Sequence, residues 1–203
     1  MKYIILLTSI IFVVIQGQAQ DVKKIQTAFE NSYMFENDNN IENSIRVLKD
    51  VYLDDSYEIN LRLGWLYYQK GDFYESQKYY TKAITILPYS EEAKFGLILP
   101  KAATAKWDDV IDIYKQILII SPNNTTANYR LGLIFYNKKM FSDAYVLFEK
   151  VVNLYPFDFD GLLMYAWSSL QIGKSKEARI LFNKVLMNTP NNASALEGLA
   201  LLK

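Results

Sequence analysis

Four of the five prolines in this chain recur at a fixed interval of 34 residues, at Pro88, Pro122, Pro156 and Pro190. An internal period of this length is typical of chains built from short structural units that stack one after another. Because proline cannot donate the next backbone hydrogen bond, each of the four is expected to follow the end of a helix. The period therefore predicts a chain of repeated helical units.

Other columns of the sequence follow the same interval. Apolar residues inside each unit are spaced by three, four and seven positions, which predicts two amphipathic helices per unit. We expect the break between the two helices near Gly71, Ala105, Lys139 and Gly173, and a second break at each proline. The columns that recur are an aromatic residue eight positions before the proline and a small residue on the first helix: Tyr80, Tyr114, Phe148 and Phe182, and Gly64, Gly132 and Ala166.

The pattern in the first of these units is a Leu-Gly pair, a tyrosine, a Gly-Asp turn, a small residue, an aromatic residue, an alanine and a proline. It resembles the tetratricopeptide repeat, and the unit at 125–158 repeats most of it. The resemblance implies an all-α fold, a right-handed superhelical solenoid of antiparallel helix pairs. The matching residues in the first unit are Leu63, Gly64, Tyr67, Gly71, Asp72, Phe73, Ser76, Tyr80, Ala83 and Pro88.

The resemblance divides the chain into segments. Four tetratricopeptide units are predicted, at 57–90, 91–124, 125–158 and 159–192. A degenerate N-terminal helical hairpin is predicted at 20–56, where the proline is missing. Residues 193–203 are predicted to form a C-terminal capping helix, equivalent to the first helix of a further unit.

The first nineteen residues read as a secretory signal peptide. A basic start at Lys2 precedes a mainly apolar stretch of thirteen residues from Tyr3 to Ile15, and Gly17 and Ala19 are small residues in the positions that a signal peptidase requires. Since about 20 apolar residues are needed to cross a bilayer, this stretch is too short for a stable membrane span. We expect cleavage after Ala19 and export of the mature chain to the periplasm or the exterior.

Composition argues against several classes of function. Basic and acidic residues both number 22, so the chain lacks the positive excess typical of nucleic-acid binding. It contains no cysteine and no histidine, which removes thiolate nucleophiles, zinc ligands and the usual proton-transfer group. Acidic pairs such as Asp54 with Asp55 are interpreted as helix caps. We therefore predict no enzyme activity, no metal and no cofactor.

A binding surface remains as the predicted functional site. In tetratricopeptide proteins the first helix of each unit lines a concave groove, and the resemblance carries this role to matching positions here. Trp65 and Tyr68 could face a ligand or could be buried by tight packing, and the sequence does not separate these alternatives. The predicted protein-binding groove consists of Leu61, Trp65, Tyr68, Phe95, Leu99, Tyr129, Leu133, Tyr136, Leu163, Trp167 and Leu170.

Charged residues near this groove are few. Members of the family that clamp a terminal carboxylate use Lys and Asn at positions where this chain has Leu61 and Trp65, so that function is not predicted. Arg62 and Arg130 occupy equivalent neighbouring positions. Each could contact an acidic ligand or could simply be solvated.

The sequence thus predicts an interaction scaffold of the cell envelope that binds a peptide or an amphipathic helix. The alternatives are a self-assembling structural module and an accessory subunit of an envelope or secretion complex. Apolar residues in 193–203 suggest weak homodimerisation through this end. Pro100 falls inside a predicted first helix, where we expect a kink or an early break.

Overall fold

The computed structural model describes residues 21–202, and every regular element in them is an α-helix. The predicted signal peptide lies outside the described residues. The all-α class is confirmed. The helices are α1 (21–37), α2 (Ile41–Lys49), α3 (Tyr57–Lys70), α4 (Phe73–Ile86), α5 (Glu91–Ala103), α6 (Trp107–Ile120), α7 (Thr125–Asn137), α8 (Phe141–Leu154), α9 (Phe159–Gln171), α10 (Ser175–Asn188) and α11 (Ala193–Leu201).

The described helices form two compact units that divide between Lys106 and Trp107. In the first unit, α3 packs against α2 and α4, and α5 packs against both α3 and α4. In the second unit, each helix from α6 to α11 packs against the next one along the chain. Helix α9 makes two additional contacts, with α7 and with α11. Consecutive helices are thus nearest neighbours within each unit, as expected for stacked helical repeats.

The helix breaks lie where the period predicts them. Gly71, Ala105, Lys139 and Gly173 all have positive φ angles, between 55° and 84°, and each lies in the turn between two helices. Each of the four periodic prolines stands two residues after the last residue of a helix. A left-handed residue and a proline are two different ways of ending a helix, and this chain alternates them.

Most helices begin at a side chain that accepts a hydrogen bond from the backbone N–H three residues further on. The acidic pair predicted to cap a helix at Asp54 and Asp55 does not do so, because Ser56 is the cap of α3 and Asp54 pairs with Lys82. The capping side chains are Asn40, Ser56, Asp72, Ser90, Asn124, Asp158 and Asn192.

One aromatic ring separates consecutive first helices in the first unit. Tyr80 on α4 is buried, and a Cβ atom added to Gly64 on α3 would lie 2.8 Å from its ring. A Cβ atom added to Gly96 on α5 would lie only 2.1 Å from the same ring. Because real Cβ atoms do not approach other atoms so closely, glycine is required on both sides of the ring. Phe182 is held in the same way against Gly198 in the second unit.

Three first helices carry a buried polar side chain that fastens the preceding loop. The amide Nδ2 of Asn60 donates to the carbonyl of Asp54 at 3.1 Å, and that of Asn128 donates to the carbonyl of Pro122 at 3.0 Å. Lys94 makes the equivalent bond to the carbonyl of Pro88. Each donor therefore satisfies a loop carbonyl six residues earlier, which explains why polar side chains are tolerated at this buried position.

Of the kink or early break predicted at Pro100, the early break is wrong, and the kink stays a prediction. Helix α5 continues through Pro100 to Ala103, and the proline is buried. Its carbonyl remains a helix acceptor, since the backbone N–H and the side-chain hydroxyl of Thr104 both donate to it. Tertiary packing of the proline ring thus overrides the local tendency of proline to end a helix.

Candidate functional site

The eleven residues of the predicted groove are alike in being neither core residues nor fully exposed ones. Every one of them is partly buried, and none belongs to the core or to the freely exposed surface. Their neighbours on the same helices, such as Leu63, Leu97 and Leu131, are buried. The eleven side chains therefore lie along the boundary between the core and the solvent, where a side chain can both pack and touch a partner. Their role in binding stays a prediction.

Trp65 is the largest of these residues in the first unit. Its Nε1 donates a 2.7 Å hydrogen bond to Oε1 of Glu36 on α1, and its ring centroid lies 6.0 Å from that of Tyr68. The indole is therefore held at its polar atom while part of its ring remains open. Trp65 is therefore neither fully buried by packing nor freely exposed to a ligand, the two alternatives that the sequence left open.

Arg62 differs from both expectations, since it is neither solvated nor available to an acidic ligand. Its side chain is only 9% exposed, and Nη2 lies 2.5 Å from Oε2 of Glu36, whose side chain is 22% exposed. The guanidinium carbon lies 3.9 Å from the ring centroid of Tyr33. Glu36 therefore neutralises Arg62 and accepts the Trp65 hydrogen bond with its other oxygen. Within the part of the chain that the structure describes, the Nε of Arg62 has no hydrogen-bond partner.

A cleft of about 470 Å³ opens beside this cluster, and we call it the first cleft. Helices α1, α3, α4 and α5 supply its walls, and five of its ten residues are aromatic. Its volume lies within the range typical of sites that bind small ligands or single side chains. The lining residues are Phe29, Tyr33, Tyr57, Glu58, Leu61, Arg62, Trp65, Tyr80, Glu92 and Gly96.

Carboxylates raise the pKa values of two tyrosines in the first cleft. The hydroxyl of Tyr57 lies 2.7 Å from the hydroxyl of Ser90 and donates to Oε2 of Glu92 at 3.2 Å. Burial raises the pKa of Tyr57, and the negative charges of Glu92 and Glu58 raise it further, against a lowering effect of the Ser90 hydrogen bond. Burial and the charge of Glu92 also raise the pKa of Tyr80. The first cleft is thus an aromatic site in a negative electrostatic field.

The second unit holds its groove residues through different contacts. The Nε1 of Trp167 donates a 2.9 Å hydrogen bond to the hydroxyl of Ser194 on α11, and its ring meets Phe182 edge-on with centroids 5.3 Å apart. Tyr129 packs edge-on against Phe148, with ring centroids 5.8 Å apart. Each aromatic residue is thus oriented by a neighbour in its own unit.

A second cleft of about 400 Å³ lies beside α7, at repeat positions partly equivalent to those of the first cleft. Arg130 stands where Arg62 stands in the first cleft, but it is exposed and forms no ion pair with any described residue. The two carboxylates in this cleft are Asp158, which caps α9, and Asp160. The lining residues are Thr125, Thr126, Tyr129, Arg130, Val151, Tyr155, Asp158 and Asp160.

The C-terminal helix is apolar on two sides. Ala195 and Gly198 are buried against the second unit, whereas Leu196 is 47% exposed and Leu201 is 63% exposed. The residues predicted to mediate homodimerisation are therefore partly available. Dimerisation itself stays a prediction.

Sequence reasoning missed the carboxylates in and beside the first cleft. Glu36, beside the cleft, lies in the degenerate hairpin, where no repeat column identifies it, and Glu92 belongs to an acidic pair, a pattern that was interpreted only as a helix cap. Tyr57 and Glu58 could have been identified from the sequence, because they begin the same helix that carries the predicted groove residues Leu61 and Trp65. Among residues 21–202, no helix combines the length and the apolar character needed to cross a bilayer.

Comparison with known sequences identifies the repeats. Two tetratricopeptide repeat family models match the chain, one at residues 57–88 and the other at 126–158. The chain is also 24% identical over 176 residues to the TPR repeat-containing protein YpiA of Bacillus subtilis (strain 168). That alignment covers 83% of this chain but only 42% of YpiA, so this chain spans less than half of the relative's length.

Solved structures with the same fold confirm the predicted class, a tetratricopeptide solenoid of antiparallel helix pairs. A tetratricopeptide repeat protein from Parabacteroides merdae ATCC 43184 superposes with a TM-score of 0.73 at 19% identity, covering 89% of this chain and 72% of the other. YrrB, described as a TPR protein with an unusual peptide-binding site, gives a TM-score of 0.69 at 14% identity, covering 91% and 97%. Repeat models, sequence relatives and fold agree that this chain carries tetratricopeptide repeats.

Proposed function

We propose that this chain is a non-enzymatic protein–protein interaction scaffold of the cell envelope, which binds a peptide or an amphipathic helix. The observation that carries the proposal is the partial burial of all eleven groove residues. In each unit, a surface that is apolar, half-buried and built on helices suits a partner that presents its own apolar side chains.

The aromatic residues of this face have the properties of binding anchors. Tyr and Trp combine a large apolar area with a polar atom and few rotatable bonds, so ordering them on binding costs little entropy. Trp65 and Trp167 are already oriented by hydrogen bonds to Glu36 and Ser194. The fold supports the proposal as well, since YrrB carries a peptide-binding site on the same architecture.

Export to the envelope is the second part of the proposal, and it rests on the signal-peptide features of residues 1–19. The intact mass of the protein recovered from an envelope fraction tests it. A mass equal to that of a chain beginning at Gln20 supports export with cleavage after Ala19. A mass that retains these residues would show that the segment is not removed.

Affinity capture from envelope extract tests the binding function. The purified wild type, Trp65→Ala and Trp167→Ala are each immobilised, and the captured proteins are identified by mass spectrometry. Any protein captured by the wild type is then purified, and its dissociation constant is measured for all three. If the face binds, each tryptophan variant should weaken binding by about 2 kcal/mol.

The matched control is Tyr74→Ala, which removes an aromatic side chain that is 78% exposed on α4, outside the groove set. This variant should bind like the wild type. Thermal melting of every variant separates lost binding from lost stability. Stable tryptophan variants that bind the partner at full strength would show that this face is not the binding site.

Self-assembly through α11 is the second candidate function, favoured by the exposure of Leu196 and Leu201. Multi-angle light scattering over a range of concentrations measures the oligomeric state. If α11 mediates dimerisation, the double variant Leu196→Lys with Leu201→Lys should be a monomer with unchanged helicity. A wild type that stays monomeric at high concentration would exclude this candidate.

A further inference from the structure

The first cleft contains two negative charges that no cation balances. Glu58 and Glu92 are both exposed, and neither forms an ion pair with any residue in the described part of the chain. The positive charge of Arg62 does not compensate them, because it is already matched by Glu36 at 2.5 Å. An occupant that carries a positive charge would therefore be favoured by the field of this cleft.

The aromatic walls suit the same kind of occupant. A cation above the face of an aromatic ring is attracted by the electrons of that ring, and the attraction grows when water is excluded. Arg62 is an internal example, since its guanidinium lies 3.9 Å from the ring centroid of Tyr33. Tyr57 and Trp65 offer further aromatic surface in the cleft that Glu58 and Glu92 also line.

One buried group in the cleft wall also lacks an acceptor. The Arg62 side chain is more than nine-tenths buried, and its Nε–H finds no hydrogen-bond acceptor among residues 21–202. Unsatisfied buried donors are rare and costly in folded proteins. The Nε atom itself is shielded from solvent, so an occupant of the cleft meets the aromatic rings and the carboxylates and does not reach this donor.

We propose that the first cleft receives the side chain of a lysine or arginine presented by a partner peptide. The inference rests on the proposed function, because it specifies which side chain the bound peptide contributes. Glu58 and Glu92 meet the positive charge, and the stem of the side chain packs along Trp65 and Tyr57. Long basic side chains pack in this way, with their methylene groups on apolar surface and their charge at the polar rim.

The second cleft provides a contrast that limits this specificity to the first unit. There Arg130 is exposed and unpaired, and Asp158 already uses a carboxylate oxygen to cap α9. The positive charge of Arg130 would repel a basic side chain. A preference for basic peptides should therefore depend on carboxylates of the first cleft alone.

Binding of defined peptides tests the inference. Three pools of short fluorescent peptides are identical except for the central residue, which is basic (Lys or Arg), Gln or Glu. Fluorescence anisotropy measures their affinity for the full mature chain, for the double variant Glu58→Gln with Glu92→Gln, and for a control double variant. The control, Glu30→Gln with Glu197→Gln, removes two exposed carboxylates outside the cleft and changes the net charge equally.

We expect the wild type and the control to bind the basic pool about fivefold more tightly than the Gln pool, as is typical of a partly exposed ion pair. The Glu58→Gln, Glu92→Gln variant should lose this preference while keeping its melting temperature, because glutamine still accepts the Tyr57 hydrogen bond. Raising the salt concentration should weaken the preference.

Three results would overturn the inference: equal binding of the basic and Gln pools, a preference that survives in the cleft variant, or no binding of the basic pool. These results are separate from the capture experiment. A partner that is captured through Trp65 without any charge preference would leave the proposed scaffold function in place and remove only the basic side chain from it.

Discussion

The two clefts are built at related repeat positions and differ in what surrounds their arginine. Arg62 and Arg130 stand 68 residues apart, which is two repeat intervals. Arg62 is buried because Glu36 on α1 supplies a carboxylate, whereas Arg130 has no such partner among residues 21–202 and stays exposed. The comparison teaches that a repeat position fixes where a side chain lies, while the neighbouring helix decides its ion pairing and its exposure.

The two units also differ at an equivalent position of the helix pair that follows each arginine. The first cleft has Gly96 at the position where the following repeat of the second unit has Met164. Gly96 lines the first cleft and allows the Tyr80 ring to press against α5. Glycine at this position is therefore a packing requirement of the first unit, and the equivalent position carries a methionine instead.

Removing the partner of Arg62 should have the largest effect. In Glu36→Ala the buried guanidinium loses its carboxylate and Trp65 loses its acceptor, so we expect a loss of about 3 kcal/mol in the free energy of unfolding. Urea unfolding followed by circular dichroism measures this loss. Asp160→Ala, which removes a carboxylate near the exposed Arg130, should cost less than about 0.5 kcal/mol. Equal costs for the two variants would mean that the two arginines are energetically alike.

Adding a methyl group at Gly96 should have the next largest effect on stability. The methyl group of Gly96→Ala would meet the Tyr80 ring, and overpacking of this kind costs about 2 kcal/mol. A lower melting temperature is the expected result. Met164→Ala, at the equivalent position of the second unit, should cost less, since Met164 is partly exposed. A neutral Gly96→Ala would indicate that α5 can move away from the ring at little cost.

The two tryptophans should differ in what their polar atom contributes. Trp65→Phe removes a hydrogen bond to a charged acceptor and should cost about 2 kcal/mol, whereas Trp167→Phe removes a bond to the hydroxyl of Ser194 and should cost about 1 kcal/mol. Both variants keep an aromatic ring, so differences in packing are reduced. Urea unfolding curves of the two variants measure both losses. A larger loss of stability in Trp167→Phe than in Trp65→Phe would contradict the stronger hydrogen bond that we assign to Trp65.

The smallest expected effect concerns the electrostatic field of the first cleft. Burial comes first among the causes that raise the pKa of Tyr57, and the negative charge of Glu92 adds to it. Neutralising that charge in Glu92→Gln should lower the pKa of Tyr57 toward its usual value. An NMR titration of the labelled tyrosine carbon measures the shift, with Glu30→Gln as the control. An unchanged pKa would remove Glu92 as a source of the negative field.

Much of the fold was predictable because it depends on residues whose roles are local. Gly71 and Gly173 tolerate the positive φ angles of the helix breaks, and the periodic prolines stop helices wherever they occur. Pro100 was misjudged because its effect depends on burial, which is a property of the assembled helices. Its local tendency predicts a break, and packing in the folded chain keeps the helix intact.

The site was less predictable for a related reason. The groove residues could be placed on the first helices by repeat position, as for Trp65 and Tyr68. The ion pair between Glu36 and Arg62 joins residues that are 26 positions apart, a spacing that matches no column of the repeat. A contact between a degenerate hairpin and a regular repeat leaves no periodic signal, so only the structure could pair these charges.

The Tyr80 ring also matters for protein engineering. It separates α3 from α5, and both of these helices supply walls of the first cleft. The thickness of one side chain thus sets the spacing of the two helices that wall the proposed cleft. A designer who wishes to adapt this scaffold to a new peptide would keep position 80 as the spacer and vary positions 58 and 92, whose side chains are exposed. Changes at these two exposed positions would leave the packing between the helices in place.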